Sequence, residues 1–217
     1  MNGTGCLALA AAAFVGLHFL LSHPFRRGLV AQFGERQFQS FYSVIALVTF
    51  GVMIWCYHAL GRQPMLWSIG EAGWIAATIL MWCASILLVG SFVGNPALPG
   101  ARRVSAPSCV LAITRHPMMW SFAIWAVVHL ALVATPKAML FDGAILLLAL
   151  GGAAGQDSKK RRLMGSRWHE WSAQTAYMPF GRGLKSPGTF AVVGGTLLFA
   201  AATRLHPLPV GIWRWIG

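Results

Sequence analysis

Six apolar intervals alternate with polar connections along the chain, at 6–22, 41–60, 73–93, 117–135, 138–155 and 190–203. A helix that crosses a bilayer needs about 20 mostly apolar residues. The pattern therefore predicts an all-α, polytopic transmembrane helix bundle of six spans. The fifth interval carries Asp142 near its start, and the sixth is short with Arg204 at its end, so both are expected to be tilted or partly interfacial. The segment 205–217 is too short to span again, and its Trp213 and Trp215 suit an interfacial anchor.

One connection is long and polar. Residues 156–188 open with Asp157, Ser158, Lys159, Lys160, Arg161 and Arg162 and continue through Trp168, His169, Glu170 and Trp171. Leu163, Met164, Trp168 and Trp171 fall on one helical face opposite the basic residues. This predicts a basic amphipathic segment that extends the fifth helix and then lies flat on the membrane; the plainer reading is a solvated basic loop. The whole of 1–217 reads as one transmembrane domain without internal repeats. Gly151 and Gly155 form a small-xxx-small pair suited to helix packing.

Composition sharpens the picture. The chain is 57% hydrophobic and only 10% charged, with mean hydropathy +0.62, whereas soluble domains carry about a quarter charged residues. The formal charge of +12 would by itself suggest nucleic acid. The basic residues, however, sit between apolar runs, where topology signals and anionic-lipid contacts belong, so the expected partner is the bilayer and not nucleic acid.

Sorting Lys and Arg by connection puts Arg26, Arg27, Arg36, Arg102, Arg103, Arg115, Lys159, Lys160, Arg161, Arg162, Arg167, Arg182 and Lys185, 13 of the 17, on one side. Arg62, Lys137, Arg204 and Arg214 fall on the other. Basic loops stay in the cytoplasm, so both termini are expected outside it. The first apolar run lacks a positive leader and contains His18, which marks it as a retained helix and not a cleaved signal; no lipidation motif is evident. Cys6, Cys56, Cys83 and Cys109 are scattered without a CxxC pair and read as small core residues, with no sign of a disulfide framework or thiolate metal site.

Ionisable residues inside a bilayer are costly and mark candidate function. His18 lies toward the cytoplasmic end of the first span and His129 near the middle of the fourth. At 1.5 Å per residue their levels differ by roughly 12 Å, a separation that two imidazoles on opposite faces of a haem can have. Ligation of one iron, a hydrogen-bonded core role and a proton relay all remain open from the residues alone. Arg26, Arg27 and Arg115 lie at the cytoplasmic ends of the same two helices, where guanidinium groups suit propionates as well as plain topology. The run Arg115, His116, Pro117 opens the fourth helix, with proline at a tolerated first-turn position and amides free to meet an anion. Asp157 sits at the membrane boundary before four basic residues, where a capping or ion-pair role is expected. No catalytic triad, phosphate loop or paired carboxylate appears.

Taken together, these motifs resemble the NnrU family, which also includes the zeta-carotene isomerase of plants and cyanobacteria. The resemblance runs from His18 to about Phe180. It rests on His18 followed by Pro24, Arg26 and Arg27; on Gly34, Glu35, Arg36 with Phe41, Tyr42, Ser43; on Thr114 to Pro117 running on to Trp125 and His129; and on Asp157, Lys160, Arg161, Trp168 and the ending Tyr177 to Phe180. It implies a bacterial inner-membrane protein with b-type haem, His18 and His129 matching the ligand positions, and cis-to-trans isomerisation of a polyene as the activity. Ala126 stands where the isomerase carries a cysteine, which removes a thiolate alternative there. Bacterial relatives are associated with nitrite and nitric oxide metabolism, so the alternative is a haem protein for electron transfer or nitric oxide handling without an organic substrate, its redox partner unknown. A more distant similarity, to isoprenylcysteine methyltransferase-like membrane enzymes, implies S-adenosylmethionine binding with Arg115, His116, Asp157 and Trp168 as the matching positions.

Overall fold

The computed structural model describes residues 3–98, 101 and 106–216; Arg102 and Arg103, counted above for orientation, lie outside the described residues. Among the latter all regular structure is helical, in the order α1 (Gly3–Ser22), α2 (Arg26–Phe33), α3 (Glu35–Ala59), α4 (Glu71–Gly90), α5 (Val110–Ile113), α6 (Pro117–Leu132), α7 (Pro136–Met164), α8 (Ser166–Gln174), α9 (Thr189–Arg204) and α10 (Trp213–Ile216). Every predicted span is present, as α1, α3, α4, α6, α7 and α9. Four of them, α1, α3, α4 and α7, are long and apolar enough to cross a membrane, whereas α6 and α9 are shorter apolar helices of 16 residues.

The chain is a helical membrane protein, and the outside of its helices shows why. On α3, Val44, Leu47, Val52 and Trp55 are all exposed, Leu47 at 70%. On α9, Phe190, Val193 and Leu197 are exposed as well. A helix that is apolar inside and outside suits lipid as its surroundings.

Two compact units divide the chain, one of Met1–Ser68 with His129–Gly152, the other of Ile69–Val128 with Ala153–Gly217. The division falls inside α6, between Val128 and His129, and inside α7, between Gly152 and Ala153.

In the first unit, α1 buries the stripe Leu7, Ala10, Ala11, Phe14 and Val15 against Met53 and Cys56 of α3 and Ala144 of α7, the i, i+3, i+4, i+7, i+8 spacing of one helical face. Packing of α1 on α3 brings Cys6 and Cys56 together as a disulfide, with their Cα atoms 6.1 Å apart. This corrects the sequence-based reading of these two as unpaired core residues. Fifty positions separate them, and only the helix pairing reveals the match. Gly151 of α7 fits the packing role expected of it, since a Cβ there would meet the Phe19 ring at 2.6 Å. Between α2 and α3 the backbone turns at Gly34, whose φ of +79° suits glycine and whose N–H closes α2 on the carbonyl of Val30.

In the second unit α9 lies against α4 through small residues. A Cβ on Gly195 would sit 2.5 Å from the Ile86 backbone, and the Trp82 indole donates to the Thr196 hydroxyl at 2.9 Å. Ile86, Leu87, Val110, Ile113 and Ala191 form one core; Ala97, Leu111, Trp168 and Trp171 form another. α7 runs on through the basic residues to Met164, as expected, and Gly165 at φ +58° separates it from α8. The aromatic face of α8 does not lie on lipid. Trp168 is fully buried and Trp171 nearly so, both packed on Ala97 and Leu111, because intramolecular apolar partners satisfy that face. The C-terminal tryptophans also meet protein: Trp213 donates to Thr203 and Trp215 to Glu71.

Candidate functional site

The second unit holds the best-built polar cluster among the described residues. It begins with a local device: Thr114 is extended, Pro117 opens α6, and the Thr114 hydroxyl accepts the His116 N–H at 3.3 Å while donating to the Tyr177 carbonyl at 2.7 Å. Residues 115 and 116 are thereby aimed at the end of α7, where Asp157 waits. Arg115 donates Nε and Nη2 to the Asp157 carboxylate at 2.9 and 2.7 Å, and its Nη1 reaches the Thr175 carbonyl at 3.3 Å. His116 donates Nε2 to Asp157 Oδ1 at 2.7 Å.

The cluster is enclosed by backbone pairing and rings. The Arg115 N–H meets the Ala176 carbonyl at 2.8 Å, and the Phe180 N–H meets that of Ile113 at 3.0 Å. Trp120 donates its indole N–H to the Tyr177 carbonyl at 2.8 Å, and the Arg115 guanidinium lies 5.2 Å from the Tyr177 ring centroid. Burial, followed by the Asp157 carboxylate, pushes the Tyr177 phenol up against a smaller opposing pull from Arg115, so it stays neutral well past pH 7. Side-chain exposure is 16% for Arg115, 12% for Asp157 and zero for His116. A neighbouring lysine completes the end of α7: Lys160, also buried, donates to the Leu98 carbonyl at 2.9 Å.

Tautomer follows from the partners. Asp157, paired with Arg115, offers acceptors alone, so His116 carries a proton on Nε2, and the neutral imidazole then has its lone pair at Nδ1. That Nδ1 is buried without a hydrogen-bond partner.

His18 and His129, the sequence-predicted ligand pair, both fall in the first unit. His18, one turn beyond Phe14, is half-buried and faces Tyr42 of α3, ring centroids 5.4 Å apart. Its Nδ1 meets the Phe14 carbonyl at 2.6 Å. The carbonyl must accept, so Nε2 holds the lone pair, the arrangement that readies an imidazole for a metal. Arg26 grips Glu35 with Nη2 at 2.6 and 2.7 Å, while Arg27, on the same short helix, is exposed. Arg115 belongs to the second unit and to Asp157.

His23, just past the end of α1, stands out as well. Ser22 donates its hydroxyl to the His18 carbonyl at 2.5 Å, so it accepts from His23 Nδ1 at 2.8 Å. His23 Nε2 is then a buried acceptor without a partner. No periodicity signals this, because the hydroxyl's single hydrogen decides it. Nor did spacing indicate that Thr175 and Tyr177 would flank Arg115, the first through a backbone carbonyl that any residue carries and the second through its ring.

Of the residues to which the methyltransferase resemblance pointed, Arg115, His116 and Asp157 meet directly, and Trp168 lies in the same unit. Among the described residues no group of three or more His, Cys, Asp or Glu could hold a metal ion by protein ligands alone. A family model described as NnrU protein matches residues 6–214. No curated protein and no solved structure matches the chain.

Proposed function

This chain belongs to the NnrU family, and from that premise we propose that it is a b-haem protein of the bacterial inner membrane, with His18 and His129 as the residues that would hold the iron. The observation that carries the reading is the His18 tautomer. Its Nδ1 is occupied by the Phe14 carbonyl, so Nε2 is the nitrogen left for iron. Imidazoles suit haem iron, and the reading is supported by His18 and His129 belonging to the same unit.

Arg26 and Arg27 are the propionate partners. The Arg26–Glu35 pair is exposed enough, Glu35 at 46%, that a second carboxylate can compete for it. Arg115 is left out of this role because Asp157 already takes its guanidinium. Bound haem would supply a redox-active iron. The chain's own part is to hold the His18 imidazole in one tautomer, exclude water with the Phe14, Val15 and Met53 core, and admit an apolar polyene from the lipid for cis-to-trans isomerisation.

Purified protein in detergent is expected to show a six-coordinate b-type visible spectrum, perturbed in His18→Ala and His129→Ala. A folded His129→Ala protein with an unchanged Soret band overturns the assignment. His23→Ala serves as the comparison, since its Nε2 is also a ready acceptor; loss of the spectrum there and not in His18→Ala reassigns the α1-side ligand. Coexpression with a carotenoid pathway separates isomerase from electron carrier or nitric oxide handler: restored isomerisation supports the first, unchanged pigment with reversible redox cycling the second.

The meeting of Arg115, His116 and Asp157 favours a second reading, an S-adenosylmethionine-dependent methyltransferase. It requires S-adenosylmethionine binding that Arg115→Ala removes, in colourless protein.

A further inference from the structure

The tryptophan face of α8 is turned into the protein, and the exposed apolar groups of this connection lie further along it. Met178, Phe180 and Leu184 are exposed by 56%, 49% and 88%. They sit in and just after a hydrogen-bonded turn, where the Gly181 N–H meets the Met178 carbonyl at 3.1 Å and the Gly183 N–H meets the Phe180 carbonyl at 2.9 Å.

Phe180 is strained there. Its φ is +61°, a region that bulky residues rarely enter, and its N–H is fixed on the Ile113 carbonyl at 3.0 Å. Glycine stands at 181 and 183, yet position 180, which would accept glycine without strain, carries a phenyl ring. Packing within the chain covers only about half of that ring. Backbone strain of this kind clusters where a side chain has a function.

Position and charge indicate what the ring meets. α9 begins at Thr189, five residues after Leu184, and exposes Phe190, Val193 and Leu197. As a span, its 16 residues rise about 24 Å, short of the roughly 30 Å hydrocarbon core, so the residues leading into it lie at the lipid boundary. Between Ser158 and Gly188 the single acid is Glu170, against exposed Arg161, Arg162, Arg167, Arg182 and Lys185. None of these five forms an ion pair among the described residues. Arg182 gives Nη2 to the Ala173 carbonyl and keeps its other donors for an anion.

We propose that the turn at 178–185 is a membrane wedge, in which Phe180 and Leu184 enter the headgroup region of an anionic bilayer and Arg182 and Lys185 meet lipid phosphates. Nothing in this depends on haem.

The test uses the full chain in vesicles of phosphatidylcholine with and without phosphatidylglycerol. A fluorophore is attached at Ser186→Cys, an exposed position, with the free cysteines removed as Cys83→Ser and Cys109→Ser. The label is expected to be quenched by nitroxide-bearing lipids and protected from aqueous acrylamide, more so with phosphatidylglycerol present. Phe180→Gly, which relieves the backbone, should keep or raise the melting temperature while lipid quenching falls. Leu184→Ser, at a side chain exposed by 88%, should lower the quenching without touching the turn. Arg182→Gln with Lys185→Gln should abolish the phosphatidylglycerol increment. A label open to acrylamide and untouched by nitroxide lipids overturns the wedge, and so does lipid quenching unchanged in both Phe180→Gly and Leu184→Ser. An increment that survives loss of both charges overturns the anionic preference.

Discussion

The two units differ in how the polar side chains of their candidate sites are satisfied. In the first, hydroxyls and imidazoles bond to backbone one turn away, as His18 does to Phe14 and Thr49 to Ile45. Such bonds hold an orientation without tying distant parts of the chain. In the second, Arg115 and His116 reach Asp157 across 42 and 41 positions, and Thr114 and Trp120 reach Tyr177 across 63 and 57. The first arrangement leaves imidazole nitrogens available on an apolar helix. The second builds a network in which each member depends on the others, so the two units should fail differently.

Asp157→Ala should produce the largest loss. It strands a guanidinium and removes the acceptor from a fully buried imidazole, a change expected to cost about 3–5 kcal/mol; denaturant unfolding in detergent measures it. A loss below that of an exposed pair would dissolve the contrast between the units. Reduction of the Cys6–Cys56 bridge, or Cys6→Ser, should lower stability by about 2–4 kcal/mol, read as a drop in melting temperature. Cys83→Ser should leave that temperature nearly unchanged, because Cys83 is free. Equal responses from both variants would mean that the bridge does not form. Gly195→Ala should cost about 1–3 kcal/mol through overpacking against the Ile86 backbone, whereas a Cβ at Gly143 of α7 meets nothing within 4 Å, and Gly143→Ala should be neutral or mildly stabilising. The smallest effect belongs to Arg26→Ala. Its exposed pair with Glu35 is worth about 0–1 kcal/mol, so stability should hardly move while haem retention, the reading proposed for that arginine, responds. Unchanged haem content would remove Arg26 from the propionate role.

Much of the candidate chemistry was legible in advance, but its grouping was not. His18 stood out as an ionisable residue on an apolar helix, and the structure leaves it half-buried beside Tyr42 of α3. Arg115, by contrast, was read as a propionate partner on charge and level alone; its actual partner, Asp157, lies on another helix, and no spacing rule links them. Trp168 and Trp171 carried a correct apolar periodicity, yet periodicity does not distinguish lipid from protein as the surface a face will meet. His23 was passed over because its importance depends on where one hydroxyl hydrogen goes.

The amino-acid order by itself determined that the chain is helical and lies in a membrane, where its six apolar helices run, and which residues are chemically able to act. Length, hydropathy and charge placement are local quantities, and the cost of exposing backbone to hydrocarbon converts them directly into helices. Only the tertiary structure decided which imidazole nitrogen is free, which carboxylate an arginine answers, and that Cys6 meets Cys56. Those outcomes depend on directional bonds of about 3 Å between residues tens of positions apart, and the packing of helices, which no single segment encodes, sets them.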